Sequence, residues 1–391
     1  MEYLTIMQNF YTFICFEATL AQLVEQLTRN EQVVGPIPTG GSFLFGMEHG
    51  ITRIKRMDTD MKARIKKRRN ASADFGVLIL RASFACSLVI SPFFLHAGES
   101  AGRAGFDFLR SEIGARPAAM AGAFAAVTGD LNGLAYNPAS LGGMDRRQAA
   151  FTYVRHVLDF QSGFAGYTQK VPGAGQAALG IYYMNYGKFT WRDILGEETG
   201  SSTPFDLLVS AAYADSLPFH LRYGISLKYI RSTIAEYWSD ALAASLGLIY
   251  SIPGQRMTIG AGIFNMGKGM HAFLDTREHL PVSYRIGISK HLAHLPLMLC
   301  IDLVRYQYEK SKTFGGMYWI VGGEFTLSEH AFLRWGYHSR GQEEKDSSGN
   351  NRFAGLSFGL GLRYGTLAID GGMNQLGMLG TISQFSVTKS F

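Results

Sequence analysis

From residue 148 to the last residue, the chain breaks into short runs in which apolar side chains recur at every second position. That period places them on one face of a β-strand. Leu356, Phe358, Leu360, Leu362 and Tyr364 alternate with Ser357, Gly359, Gly361 and Arg363. Leu221, Tyr223, Ile225, Leu227 and Tyr229 alternate with Arg222, Gly224, Ser226 and Lys228, and Phe205, Leu207, Val209, Ala211 and Tyr213 face away from Asp206 and Ser210. No stretch carries the capped, 3.6-residue pattern of long helices. Alternation alone fits either a soluble sandwich, with the apolar faces packed inward, or a membrane barrel, with them turned outward.

Number and spacing of strands separate the two. About fourteen strands are expected, beginning near residues 148, 160, 174, 203, 221, 239, 256, 282, 295, 317, 331, 355, 366 and 380. An even count suits a single-chain bacterial barrel. The connections Val171–Gly175, Ser216–His220, Ser251–Arg256, His291–Pro296, Leu327–His330 and Gly365–Thr366 are tight. They alternate with long polar or glycine-rich ones at Asn185–Thr203, Asn265–Pro281, Tyr308–Gly316 and Ser339–Arg352. Short turns on one side and longer loops on the other predict an all-β, transmembrane, antiparallel up-and-down barrel with both termini on the periplasmic side of a bacterial outer membrane. Tyr153, Tyr250, Trp335 and Tyr337 near strand ends fit interfacial girdles. The closing residues Phe385, Val387, Lys389 and Phe391 resemble the C-terminal signal by which the barrel-assembly machinery takes up such chains, with Lys389 a departure from the apolar pattern.

The N-terminal part reads differently. Six basic residues after Met61 precede an apolar run from Ala82 to Leu95 and a small-residue site at Ala97, the layout of a secretory leader. The run is too short to cross a bilayer as a helix. A longer anchor over Val77–Leu95 would carry Arg81, at a cost of a few kcal/mol at mid-bilayer. Cleavage after Ala97 leaves Gly98–Phe391, 294 residues. Residues 1–60 read as an extension ahead of the true start at Met57 or Met61, because Leu20–Gly41 resembles a conceptually translated tRNA gene. The expected organisation is an extension (1–60), a signal peptide (61–97), an N-terminal hatch (98–147) and the barrel (148–391).

Charge and cysteines exclude other classes. The formal charge of +6 shrinks to +3 after residue 97, with twenty-six Lys and Arg against twenty-three Asp and Glu, so no clustered nucleic-acid footprint is present. Of Cys15, Cys86 and Cys300 only the last follows the leader, which leaves no intramolecular disulfide. No HExxH or P-loop occurs, no serine is placed on a nucleophile elbow, and neither metal nor cofactor is expected.

Between leader and first strand lies Gly114–Met144, rich in glycine and alanine. Gly114-Ala115-Arg116, Met120-Ala121-Gly122-Ala123-Phe124, Asp130 and Asn137-Pro138-Ala139, with Asn265-Met266-Gly267, Gly323-Glu324-Phe325 and Leu333-Arg334-Trp335-Gly336-Tyr337 later, resemble the FadL-type outer-membrane transporter superfamily, its PorV/PorQ branch and related spirochaete barrels. The resemblance implies that this segment folds inside the barrel as a hatch and that hydrophobic ligands pass through the lumen and leave sideways into the membrane. Gly122, Asp130, Asn137, Pro138 and Ala139 are the hatch residues it singles out, and small residues suit packing against a crowded inner wall. Asp130 stands where it would cap the short turn before Leu131. On the barrel, Arg222, Lys228, Arg285, Asp302, Glu324, Arg334, His338, Arg363 and Asp370 fall on the inward face. They read either as a salt-bridged lumen that stabilises barrel and hatch or as a ligand site whose arginines meet a carboxylate. Two functions stay open: uptake of a hydrophobic, long-chain fatty acid-like molecule, and a docking platform in a protein secretion or surface-attachment system. A structural surface barrel is the third. Expected partners are outer-membrane lipid, the assembly machinery at Phe391, and a hydrophobic ligand under the first.

Overall fold

The computed structural model describes residues 105–391, apart from 194, 274–277, 308–315, 343–352 and 378–379. The expected extension, the leader and residues 98–104 lie outside the described residues.

The strands are β1 (Gln148–Arg155), β2 (Gln161–Lys170), β3 (Gln176–Asn185), β4 (Phe189–Arg192), β5 (Glu198–Ser202), β6 (Phe205–Leu217), β7 (Leu221–Ile234) and β8 (Tyr237–Ile252), followed by β9 (Met257–His271), β10 (Ser283–His291), β11 (Leu297–Tyr306), β12 (Tyr318–Thr326), β13 (Ala331–His338), β14 (Leu356–Tyr364), β15 (Leu367–Gln375) and β16 (Thr381–Ser390). Fourteen of them pair with their neighbours into a closed barrel; β4 and β5 form a separate hairpin between β3 and β6. All barrel pairs are antiparallel, and β1 closes the ring on β16 over its full length, from Gln148 opposite Ser390 to Arg155 opposite Ser383. Closure removes the edges that an open sheet would leave unpaired.

The alternation points the way a membrane requires. Outward side chains are exposed, among them Leu179 (61%), Leu227 (63%) and Leu360 (61%), while inward neighbours such as Ser226, Thr152 and Ser357 are buried. In water each outward leucine would forgo about 2 kcal/mol of burial, and a contiguous apolar belt of this kind marks a membrane-facing surface. The stacked sandwich is therefore excluded. The pair Trp335–Gly323 shows the outward face compensating a glycine: the indole lies across Gly323, where an added Cβ would stand 2.6 Å from its Nε1. Lys389, the departure in the C-terminal pattern, faces outward with its Nζ 5.1 Å from the Phe391 ring centre.

The six tight connections expected from the sequence join strand ends at one mouth, and the four long ones lie at the other, alongside the short connections at residues 156–160, 235–236 and 376–380. Two long connections differ from expectation. Asn185–Thr203 contains the β4–β5 hairpin. Asn265–Pro281 is no loop at its start, because β9 runs on through His271, with a bulge opposite Ala244–Leu246 that shifts the register. A bulge adds a residue and breaks the period-two signal, which hid this continuation. Gly105 donates its N–H to His279 O in the β9–β10 connection, at the long-loop mouth, whereas Phe391 donates to Arg147 O at the short-turn mouth. The first described residue and the C-terminus thus stand at opposite mouths.

Residues 105–147 thread through the barrel between them. They form a 3-10 turn over Asp107–Arg110, the short helices α1 (Ala115–Ala119) and α2 (Gly133–Tyr136), and a 3-10 turn over Pro138–Leu141. Most of the segment is buried. It leaves the barrel at the short-turn mouth and enters β1.

Candidate functional site

The inner wall is shaped for this segment by glycine. Gly224 of β7 faces Gly247 of β8 across the pair, and Gly247 faces Gly262 of β9. Gly260 of β9 faces Gly287 of β10, Gly322 of β12 faces Gly336 of β13, and Gly359 of β14 faces Gly372 of β15. A Cβ at Gly224 would stand 2.3 Å from Pro138 C, at Gly260 2.1 Å from Ala125 O, at Gly336 2.3 Å from Met120 C, and at Gly372 2.7 Å from Ala115 O. These are backbone atoms, so the hatch chain lies directly on the wall and no side chain fits between.

Polar anchors fix it in register. Ala115 N–H donates to Ser386 Oγ at 2.8 Å. Asp302, fully buried on β11, accepts from Phe124 N at 3.0 Å and Ala125 N at 2.9 Å. Asn137 is fully buried and extended; its Nδ2 donates to Ala125 O at 2.7 Å and to Leu248 O at 3.3 Å, and its Oδ1 accepts from Ala139 N at 3.1 Å. Pro138 then opens the 3-10 turn that lies against Gly224. Asn137-Pro138-Ala139 is therefore a clamp that ties two passes of the hatch to β8. Asp130 Oδ1 accepts from both the backbone N and Nδ2 of Asn132 at 2.9 Å, the local turn closure its side chain suggests.

The inward charges divide into three groups. The first is a buried ladder: Asp130 pairs with Arg116 at 2.8 Å, Arg116 grips Glu324 through two 2.8 Å bonds, Glu324 accepts from Arg334 Nε at 2.6 Å, and Arg334 reaches Asp370 at 2.7 Å. Three carboxylates and two guanidiniums alternate, so each buried charge has an opposite neighbour. Arg116 belongs to the hatch, and its bidentate grip on β12 joins plug to wall.

The second group lies above the hatch, toward the long-loop mouth. Arg285 Nη1 donates to Gly122 O at 3.1 Å, stands 3.8 Å from Asp302, and covers the Tyr136 ring at 5.6 Å. Gly122 takes φ +80°, which presents that carbonyl. Lys228 is buried and donates to Asn265 Oδ1 at 2.8 Å. Asn265 itself sits at φ +58° in the β9 bulge, with its N–H on Ser245 Oγ. His338 Nδ1 accepts from Arg340 N at 3.0 Å.

These residues line a cavity of about 70 Å³, together with Leu134, Phe164, Leu208, Phe264 and Ile320. A second cavity of about 280 Å³ continues toward the long-loop mouth, past His156, Arg340, Asn374 and Gln384. Ser111 and Glu112 border both. Glu112 accepts from Asn374 Nδ2 at 2.6 Å, and the same amide bonds Ala118 O and Ser357 Oγ at 2.9 Å. Burial pushes the Glu112 carboxyl up to about 8, against the lowering effect of Asn374 and Arg285.

The third group stands apart. Arg222 lies beside Gly143 at the short-turn mouth, and Arg363 is exposed there, 5.0 Å from the Phe332 ring centre. Both are on the inward face as expected, but neither joins the ladder or the cavity above the hatch. Alternation fixes the face of a residue and not its depth.

Glu112 and Asn374 escaped sequence reasoning, since neither lies in a motif. The run Gly355-Leu356-Ser357-Phe358-Gly359 does match the Gly-x-Ser-x-Gly spelling of a nucleophile elbow. Ser357 sits within β14 rather than on a strand-to-helix turn, and its Oγ is held by Asn374. That context is wrong for an elbow.

Fold and site together define a transmembrane β-barrel whose lumen is filled by its own N-terminal segment, with small cavities left on the long-loop side and a charged one of about 230 Å³, bordered by Arg116, Asp130, Arg363 and Asp370, at the short-turn mouth. Solved structures of this architecture are similar to it. A monoaromatic hydrocarbon channel, the TodX deltaS2S3 mutant, superposes with a TM-score of 0.51 at 12% identity over 73% of this chain and 99% of that one. The Ralstonia pickettii toluene transporter TbuX gives 0.45 at 15% identity over 71% and 97%, and a Pseudomonas aeruginosa FadL homologue 0.45 at 11% over 71% and 97%. At these identities the likeness speaks for the fold alone. No family model and no curated protein matches the chain.

Proposed function

We propose that this protein is a bacterial outer-membrane barrel that takes up hydrophobic small molecules, long-chain fatty acid-like amphiphiles being the class its cavities suit best. The observation that carries the reading is the filled lumen. The hatch lies on the wall at the level of the glycine pairs, where a water-filled porin would have a channel; it separates a charged cavity at the short-turn mouth from a mixed apolar and polar cavity system toward the long-loop side. Leu134, Phe164, Leu208, Phe264 and Ile320 supply apolar lining, and Lys228 and Arg285 supply cationic groups suited to a carboxylate head. The similar structure with a TM-score of 0.51 is a monoaromatic hydrocarbon channel, which agrees with apolar cargo.

The test is binding and uptake of labelled oleate and labelled toluene by the purified barrel in vesicles, against a plain porin. Oleate binding above the porin control supports the reading. Equal signals for both proteins with both probes would remove it, and would leave the docking-platform function as the one to pursue.

A further inference from the structure

Lys228 is the one buried lysine among the described residues, and the only hydrogen bond recorded for its ammonium goes to a neutral amide oxygen, Asn265 Oδ1, at 2.8 Å. An ammonium has three protons to place. Burying such a charge without a paired anion costs several kcal/mol, so a carboxylate neighbour is the usual solution. No described carboxylate lies within ion-pair reach of it. The acids and bases around the same cavity are Glu112 and Arg110 of the hatch, Tyr136 of α2, Arg285 of β10, Tyr306 of β11 and His338 of β13. Asp302 of β11 stands behind Arg285, and Asp107 and Arg340 border the adjoining cavity.

Glu112 would be the obvious counter-anion, yet it makes no salt bridge among the described residues and is held by the Asn374 amide instead. Arg285 is close enough to act electrostatically on both Lys228 and Glu112. The volume left between them, about 70 Å³, admits a few waters or one small planar anion.

We propose that this cavity is a carboxylate site in which Lys228 and Arg285 receive the anion and Glu112 takes part as its neutral, proton-bearing wall, so that a carboxylate and a proton are bound together. A carboxylate entering beside Lys228 approaches Glu112 as well. Ionised, Glu112 would repel it and compete for Arg285; protonated, it donates its O–H to the anion or leaves it undisturbed. The elevated Glu112 carboxyl, about 8, keeps that proton in place at neutral pH. Binding of the anion then holds the proton more tightly, and the reciprocal holds by linkage. The inference deepens the uptake reading and rests on it for its biological meaning, but the site is testable without transport.

The probes are sodium acetate and sodium octanoate, titrated calorimetrically into the purified folded barrel at pH 6.5 and pH 9. Wild type is expected to bind octanoate at least tenfold more weakly at pH 9, tenfold being the share linkage gives for the Glu112 carboxyl alone. Lys228→Met should abolish binding. Glu112→Gln should bind octanoate at pH 6.5 at least as tightly as wild type and should lose markedly less of that affinity between pH 6.5 and pH 9 than wild type does. Should Lys228→Met fail to fold, Asn265→Asp places a competing carboxylate on the lysine and should weaken binding at least tenfold. Octanoate far tighter than acetate assigns the carboxylate to the head of an amphiphile; equal affinities assign it to a free small acid. Wild-type pH dependence retained in Glu112→Gln, or unaltered binding by both Lys228→Met and Asn265→Asp, overturns the proposal. If neither probe binds while labelled oleate is still taken up, the carboxylate site falls and the uptake reading stands.

Discussion

Removing Arg116 should release the hatch. Its guanidinium bonds Asp130 and, through two 2.8 Å contacts, Glu324, and all three side chains are nearly inaccessible. Arg116→Met keeps the stem but deletes the charge, and Asp130 and Glu324 then remain with only Arg334 to share among three carboxylates. Breaking a buried pair in this way costs about 3–5 kcal/mol. The strands keep their own ladders, so the penalty falls on the docked state of residues 105–147. Each 1.4 kcal/mol is about tenfold in population, which raises the undocked fraction by about 10² to 4 × 10³. Limited trypsin digestion reads this directly, because cleavage of a transiently opened segment follows its open population when reclosing is fast. Cleavage after Arg110, resolved by mass spectrometry, should accelerate by that factor. Arg116→Met combined with Asp130→Asn and Glu324→Gln leaves no stranded carboxylate, only the Arg334–Asp370 pair, and should recover most of the resistance. A cleavage rate within tenfold of wild type for the single variant would refute the ladder as the tie between plug and wall.

Gly224→Ala tests the glycine track: its methyl carbon would begin 2.3 Å from the Pro138 carbonyl carbon, so overpacking by about 1–3 kcal/mol should lower the urea midpoint of the folded barrel. Gly371→Ala on β15, with nothing within 4 Å of the added carbon, should leave that midpoint unchanged. Glu112→Gln should stabilise the protein above acid pH. The folded carboxyl holds its proton up to about 8, while the unfolded chain loses it near 4.5, so native stability falls as pH rises through that window by about 1.4 kcal/mol per unit. The variant should match wild type at pH 4 and gain about 3 kcal/mol at pH 7, measured by urea unfolding; a gain independent of pH would reject the buried acid.

The barrel was legible because period-two alternation survives in each strand and the turns punctuate it: strand starts fall within two residues of those read from sequence, as at Gln176, Ser283 and Leu356. The exceptions have local causes. In β9 the bulge at Asn265 turns both Phe264 and Asn265 inward, and the glycines that follow gave no apolar rhythm to count. The β4–β5 hairpin is short and exposed, and its two apolar residues, Phe189 and Trp191, are too few to count as a run, so it read as loop. Within the site, face was readable and partnership was not. Arg334, Glu324 and Asp370 were placed inward by parity, but the residue that joins them to the hatch, Arg116, lies 208 positions before Glu324. Glu112 is a single carboxylate in a segment without periodicity, and only the folded chain brings it to Asn374. The inward glycines were visible as small residues, yet their pairing across strands into a track needed the register.

Ion conductance of the purified barrel in a planar bilayer tests the central claim most directly, that residues 105–147 fill the lumen. Wild type should insert without steady porin-like steps, and a variant lacking 105–144 should show large ones. Large, stable steps from wild type, or a deletion variant as silent as wild type while still folded, would contradict the account.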